Sequence, residues 1–318
     1  MAEIGTNIAT AKSLLCKGEV IGLPTETVYG LAGNGLNTDA VSKIFEVKNR
    51  PHFDPLILHS YSIDAIKPYL TEFPEKALIL AKEFWPGPLT LLLPRNNKIP
   101  DLTCSGLGRA AFRIPKHPVA LSLLKQLDFP LAAPSANPFG YISPTSALHV
   151  QKQLGDKIPY ILEGEVSEVG IESTIIGFEN NVATVYRLGG LDLAAIEECI
   201  GKVKVMAHSS SQPDAPGMLK SHYAPTKKIF LGNISDLLSE YKQRKTAVLS
   251  YRTTYKSAYL NYVLTENDDM HEAAKNLFSY LRELDESDAD IILTEEVPDI
   301  GLGRAINDRL KRACVNEY

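Results

Sequence analysis

Val20-Ile21-Gly22-Leu23-Pro24-Thr25-Glu26-Thr27-Val28-Tyr29-Gly30-Leu31 decides how the first two thirds of the chain are read. The apolar run at 20–23 stops at Pro24, and a second run, Leu56-Ile57-Leu58, stops at His59. Both have the length and the abrupt polar ending of buried strands that run out into loops. In an open α/β sheet such strand ends line the ligand crevice. Two cations follow: Lys48 and Arg50 close a helical stretch that begins near Asp39 and is stopped by Pro51. In isolation they are explained by the helix C-terminus, which attracts positive charge. A phosphate-binding role requires support from elsewhere in the chain.

Strand-length apolar runs recur at 89–93, 131–133, 160–162, 174–176 and 184–186, alternating with helical patterns at 8–16, 39–48, 75–84, 118–127, 146–154 and 192–200. The layout is mixed α/β, with late strands close enough to pair antiparallel. From 207 to 225 the pattern lapses into Ser209-Ser210-Ser211-Gln212-Pro213-Asp214-Ala215-Pro216-Gly217, which neither packs a core nor continues a helix. Beyond it, strand-like runs at 228–231, 247–250 and 291–294, with helices at 271–284 and 304–313, predict a small open α/β domain. Gly301-Leu302-Gly303 precedes the last helix, but Ile306 stands where a dinucleotide fingerprint has its third glycine, so a helix-entry turn is the better reading.

A chain of 318 residues, 44% hydrophobic and 22% charged, can bury a sizeable core and divides most naturally into two domains. Its first fifteen residues lack a basic start and a long apolar core, so neither a signal peptide nor a membrane span is expected, and the default location is the cytoplasm. Cys16, Cys104, Cys199 and Cys314 form no CxxC pair, and the seven histidines show no HExxH or HxH spacing. A disulfide framework, a structural zinc site and a protein-built metal centre are therefore not expected. A net charge of -5 without a Lys/Arg run disfavours an extended RNA surface. A local basic pocket in an acidic protein suits a compact polyanion such as a nucleoside triphosphate.

Three later segments supply the missing support. Trp85-Pro86-Gly87-Pro88 turns into the run at 89–93; Arg113 ends the short run at 110–112; Ala132-Ala133-Pro134-Ser135-Ala136-Asn137 closes a third strand, with Ser143-Pro144-Thr145 directly after. Taken in order, these segments resemble the YrdC-like family of threonylcarbamoyl-AMP synthases from about residue 4 to 200. Ala215-Pro216-Gly217-Met218 and His222-Tyr223-Ala224-Pro225 are similar to the linker of that family's longer, two-domain form, and 301–310 to the end of its second domain. Ala215, Leu219 and Ser221 make this linker less typical, Phe139 replaces a smaller polar residue, and Asp54 stands where asparagine is common.

The resemblance implies a twisted mixed-sheet YrdC-like domain over 1–203, a linker that serves as an active-site lid over 204–226, and a smaller Rossmann-like α/β domain over 227–318. The implied reaction joins L-threonine, bicarbonate and ATP into threonylcarbamoyl-AMP with release of pyrophosphate, for threonylcarbamoyladenosine in tRNA. Mg2+ enters with ATP. The resemblance assigns Lys48 and Arg50 to catalysis and to the triphosphate. It adds Asp54, Arg109, Ser135, Asn137, Ser143, Arg187, His222 and Tyr223 around ATP, with Thr27, His59, Arg113 and Ala133 around threonine. The expected partners are the downstream tRNA threonylcarbamoyl-transfer machinery and, weakly, tRNA itself; no membrane contact is expected. Two other readings are a non-catalytic double-stranded RNA or tRNA-binding module and a carbamoyl-transfer enzyme of the hydrogenase-maturation type. The zinc-finger cysteines and acylphosphatase segment of the latter are missing from this chain.

Overall fold

Asparagine caps and short apolar runs set the first elements. In the computed structural model, which describes residues 1–180, 182–206 and 223–314, strand β1 (Glu3–Gly5) is followed by helix α1 (Ile8–Cys16), whose Ala9 and Thr10 N–H groups are taken by the Asn7 side chain. Strands β2 (Ile21–Leu23) and β3 (Gly30–Asn34) pair antiparallel around the Pro24-Thr25-Glu26-Thr27 loop. Helix α2 (Thr38–Lys48), capped by Asn37, leads to β4 (Ile57–His59). Short α3 (Ile63–Ile66), α4 (Glu75–Phe84), β5 (Leu89–Pro94), short α5 (Asp101–Cys104), β6 (Arg109–Arg113), α6 (Pro118–Leu124) and β7 (Leu131–Ala132) follow. The unit closes with α7 (Ala147–Leu154), β8 (Tyr160–Leu162), β9 (Thr174–Glu179), β10 (Val182–Arg187), α8 (Leu193–Ile200) and β11 (Lys204–Val205).

Among the described residues these strands form one mixed sheet of eleven, ordered β1-β8-β2-β3-β7-β4-β6-β5-β9-β10-β11. Residues His59 and Arg113 are register partners in the parallel pair β4/β6, so two predicted site residues leave the sheet side by side. The late strands β9 and β10 pair antiparallel, and the register slips between Val185 and Arg187 where β10 reaches the same end of the sheet. Lys204–Val205 lies at the start of the expected linker, yet it extends the sheet by pairing with Thr184 and Val185. A core of Leu31, Ile44, Phe45, Leu58, Leu91, Phe112 and Ile161, among others, fills the space under the helices.

Beyond residue 222 come β12 (Lys228–Leu231), α9 (Ile234–Glu240), β13 (Thr246–Ser250), β14 (Leu260–Val263), α10 (Met270–Glu286), β15 (Ile291–Thr294) and α11 (Gly303–Ala313). The four strands are paired in parallel in the order β12-β15-β13-β14. Their apolar cluster does not stop at this sheet: Val28, Ile142 and Ile171 of the first unit pack into it with Leu277, Phe278 and Leu281 of α10. Arg282 of α10 adds hydrogen bonds to the carbonyls of Ile142 and of Ser143, the second at 3.2 Å, and to Gln153 at 2.9 Å. Gly301, at φ 52°, turns the chain into α11, as a helix-entry glycine does.

Candidate active site

The Pro24–Thr27 loop is buried, so its hydroxyls must find partners inside the protein. Arg113 Nη1 donates to Thr27 Oγ1 at 2.7 Å, and Thr25 Oγ1 donates to Val28 O at 2.6 Å. A guanidinium only donates and a hydroxyl has one proton, so the 2.9 Å contact between the two threonines is donated by Thr27. The loop therefore carries a directed chain from Arg113 through Thr27 and Thr25 to the Val28 carbonyl. Arg113 Nε also donates to Gly87 O at 3.3 Å, and Nη2 forms an ion pair of 2.7 Å with Glu26. Both side chains of that pair are only 5% exposed, which locks the guanidinium in place.

His59, fully interior at the end of β4, donates from Nδ1 to Ile57 O at 3.2 Å. Burial, with the Arg113 charge beside it, draws its pKa down to about 3, so it stands in the pocket as a neutral imidazole. A local turn separates Lys48 from Arg50. Asn49 adopts the left-handed conformation at φ 52°, its N–H bonds to Glu46 O, and the Arg50 N–H bonds to Phe45 O. These two bonds make a Schellman cap, and it ends the helix before Pro51 does. Beyond the cap Arg50 reaches the cavity, held by Asp54 O, Pro55 O and a 2.9 Å ion pair with the Asp54 carboxylate.

These groups meet in a cavity of about 570 Å³, open mouth included. Of the predicted residues, Thr27, His59, Arg113 and Ala133, expected around threonine, and Arg50, Ser135, Arg187 and Tyr223, expected around ATP, all line it. Gly30 keeps the wall thin: a Cβ there would stand 3.1 Å from the Ala133 Cβ. Arg187, at the end of β10, donates to Ser173 O at 3.0 Å and to Ser173 Oγ at 3.1 Å, and burial draws its pKa down to about 10.

Other predicted residues stand elsewhere. Lys48 does not line the cavity; its Nζ is buried beneath it and donates to the carbonyls of Ser135 and Asn137, the latter at 2.6 Å. Burial, reinforced by the neighbouring Arg50, pulls its pKa well below the ordinary lysine value. Asn137 braces the same loop by donating to Pro138 O and Tyr141 O, both at 2.8 Å. Asp54 is turned to Arg50, and Ser143 donates to Glu172 at 2.5 Å. Arg109 starts β6 while Arg113 ends it, and pairs with Glu179 at 2.8 Å and the Tyr186 hydroxyl at 3.1 Å, away from the cavity. His222 lies outside the described residues.

Sequence reading missed two carboxylates. Glu26 carries no local signal of a role, and its burial next to Arg113 emerges only from the fold. Glu172 lines the cavity, accepts from Ser143, and is paired at 3.1 Å with Arg309 of α11. The Glu172-Ser173-Thr174 triplet at the entry to β9 was a polar strand-end signal of the same kind as Thr27 and His59.

Two family models match: one described as telomere recombination, for Sua5, YciO and YrdC, covers residues 13–189, and one described as "Threonylcarbamoyl-AMP synthase, C-terminal domain" covers 191–314. The chain belongs to the two-domain threonylcarbamoyl-AMP synthase family. It is 39% identical to the threonylcarbamoyl-AMP synthase of Pyrococcus abyssi over 96% of this chain and 93% of that protein. Against the Bacillus subtilis synthase it is 39% identical, over 98% of this chain and 95% of the relative. The crystal structure of P. abyssi Sua5 complexed with L-threonine superposes with a TM-score of 0.91 at 38% identity, covering 96% of this chain and 94% of that one. The mixed sheet with a second, smaller α/β unit is thus the fold of this synthase family.

Proposed function

We propose that this protein condenses L-threonine, bicarbonate and ATP into threonylcarbamoyl-AMP and pyrophosphate. The observation that carries the proposal is the meeting, in one cavity, of a locked Arg113–Thr27 pair with Arg50, Ser135 and Arg187. One half suits a small amino acid and the other a polyphosphate. The terminal nitrogens of Arg113 present a fork to the threonine carboxylate. Neutral His59 borders this half without adding charge. Carbon dioxide from bicarbonate takes up the threonine amine nitrogen to give a carbamate, with loss of a proton to solvent. A carbamate oxygen then attacks the α-phosphorus as the bond to pyrophosphate breaks. Such a step requires alignment and charge neutralisation more than a protein nucleophile.

Arg50 and Arg187 supply fixed positive charge to the phosphates, and Ser135 a short polar contact. Lys48 serves the same half indirectly, by holding the Ser135–Asn137 carbonyls. ATP enters as its magnesium complex; among the described residues no cluster of three or more His, Cys, Asp or Glu is placed to hold a metal ion. The division of labour is a catalytic unit over 1–203, a connecting segment over 204–226 and a second unit over 227–318; the lid role expected of the connecting segment falls largely on residues 207–222, outside the described residues. The product is a labile mixed anhydride, so a tRNA threonylcarbamoyl-transferase must consume it promptly, in the cytoplasm and with at most weak tRNA contact by this protein. Among the described residues no helix is long and apolar enough to cross a membrane.

The test is incubation of the purified chain with MgATP, bicarbonate and threonine. Pyrophosphate release that depends on both threonine and bicarbonate, with the adenylate found by mass spectrometry, is the expected result. Salt-sensitive RNA binding without nucleotide binding would instead sink the catalytic proposal.

A further inference from the structure

Glu172 poses an electrostatic problem that the second domain solves. Its carboxylate lines a cavity meant for anions, where an uncompensated negative charge would repel phosphate and attract the nearest cation of the wall. Arg187 is such a cation: Glu172 and Arg187 are close enough that each charge favours the other. Yet the hydrogen bonds of Arg187 go to neutral acceptors of Ser173. The Glu172 oxygens are held from elsewhere. One accepts from Ser143 Oγ at 2.5 Å, and the other faces Arg309 Nη2 at 3.1 Å and Nε at 3.3 Å.

Arg309 belongs to α11, 137 residues away in sequence, and is completely buried. Its remaining terminal nitrogen donates to Leu188 O, one residue past Arg187, at 2.6 Å. The guanidinium also stands 5.4 Å from the ring centroid of Tyr223, another cavity residue, with Arg312 4.9 Å from the same ring. One side chain of the second domain thus meets two residues of the cavity wall, Glu172 and Tyr223, and the backbone next to a third, Arg187. Burial alone would raise the Glu172 pKa; the Arg309 and Arg187 charges and the Ser143 hydrogen bond outweigh it and hold the group ionised.

We infer that Arg309 is a positioning residue for ATP: by claiming the Glu172 carboxylate it keeps Arg187 turned to the cavity and available to phosphate, so the second domain completes the nucleotide half of the site. This inference rests on the assignment of that half to ATP. Without Arg309, Glu172 would pair with Arg187 and remove an anion-binding group from the wall.

Full-length Arg309→Met, Arg309→Lys, Glu172→Gln and the double variant Glu172→Gln/Arg309→Met distinguish this from a merely structural role. Arg309→Met is expected to weaken ATP binding by about ten- to a hundredfold, the worth of one charge-assisted hydrogen bond. Threonine binding should change by less than about threefold, since Arg113 and Thr27, to which threonine is assigned, share no hydrogen-bond partner with this pair. Removing the offending carboxylate should rescue the loss, so the double variant binds ATP within about threefold of Glu172→Gln. Arg309→Lys should be intermediate. Unchanged ATP affinity in a folded Arg309→Met protein would overturn the inference. So would a double variant no better than Arg309→Met, or one that fails to fold when Glu172→Gln folds. Direct ATP titration ranks these variants independently of turnover, so absence of threonine-dependent pyrophosphate in the wild type would count against the proposed reaction without deciding this point.

Discussion

Replacing Arg113 by lysine keeps a positive charge in the cavity but removes the guanidinium fork. In the native arrangement Nε is committed to Gly87 O, Nη1 to Thr27 Oγ1 and Nη2 to Glu26, which orients the plane of the group before any ligand arrives. A lysine ammonium can keep the Glu26 contact, yet cannot hold that contact and also present two parallel N–H groups to a carboxylate. Losing one charge-assisted hydrogen bond costs about 1.5–3 kcal/mol. Threonine affinity should accordingly fall by roughly 10- to 150-fold. The ATP Kd should move by less than about threefold, because Arg50 and Arg187 have partners of their own. Calorimetric titration of each ligand separately reads both numbers. Equal losses for the two ligands would refute the division of the cavity.

Arg113→Ala should behave differently, because it also strands Glu26. Each side chain of this pair is 5% exposed, and removal of one partner of such a pair costs about 3–5 kcal/mol of stability. Glu26→Gln/Arg113→Ala removes the stranded charge and should recover most of that loss in urea unfolding while leaving threonine binding defective. A double variant no more stable than Arg113→Ala would show that the ion pair is not what the native state relies on.

Three further substitutions probe the rest of the site. His59 has a folded pKa of about 3 against an ordinary 6.5, so the unfolded chain takes up the proton first as pH falls; stability is then lost between pH 6.5 and 3 with a slope of up to about 1.4 kcal/mol per unit. His59→Asn should flatten that slope in urea melts at pH 7, 5.5 and 4.5, and an unchanged slope refutes the assignment. Asp54→Asn should cost about 1–3 kcal/mol of stability by weakening the hold on buried Arg50, with ATP affinity kept or improved; a tenfold loss of ATP affinity without destabilisation would mean that Asp54 serves ATP directly. Lys48→Met should lower thermal stability and ATP affinity together, since Nζ secures the Ser135–Asn137 loop; a fall in kcat alone, at wild-type stability, would place Lys48 on the reacting phosphate.

The fold was legible where a segment had a clear period or cap. Strands 160–162, 228–231 and 291–294 and helices 8–16 and 75–84 appear at the expected bounds. Gly30–Asn34 hid because Gly-Leu-Ala-Gly-Asn carries none of the β-branched or aromatic residues that mark strands. Its small residues answer a packing need instead, since a Cβ on Gly33 would press on Val20 and Ile44. Glu3–Gly5 is a three-residue edge strand with no alternation to detect, and Leu260–Val263 interrupts its apolar run with Asn261. At the site, strand-end residues such as His59 and Arg113 were legible because the chain must leave the sheet there. The separate fates of Lys48 and Arg50 were not, since they depend on a left-handed Asn49 between them. Nor was the Glu172–Arg309 pair, which joins distant segments that no local pattern relates.

The cavity's cations are not equivalent, and the difference follows from how each is held. Arg50 is paired with Asp54 and Arg113 with Glu26, while the Glu172 charge is met by Arg309 from the other domain. Each carboxylate lowers the cost of burying a guanidinium and fixes its direction, but it also neutralises part of the field that would draw an anion in. Arg187, anchored on neutral Ser173, keeps more of its charge for a ligand. A site built only from arginines like Arg187 would attract ATP strongly and fold poorly; one built only from pairs like Arg113–Glu26 would fold well and select by shape. In the proposed assignment threonine, a small zwitterion, meets a cation of the paired kind, Arg113. A triphosphate needs at least one cation of the other kind, and on the inference drawn above Arg309 allows Arg187 to be it.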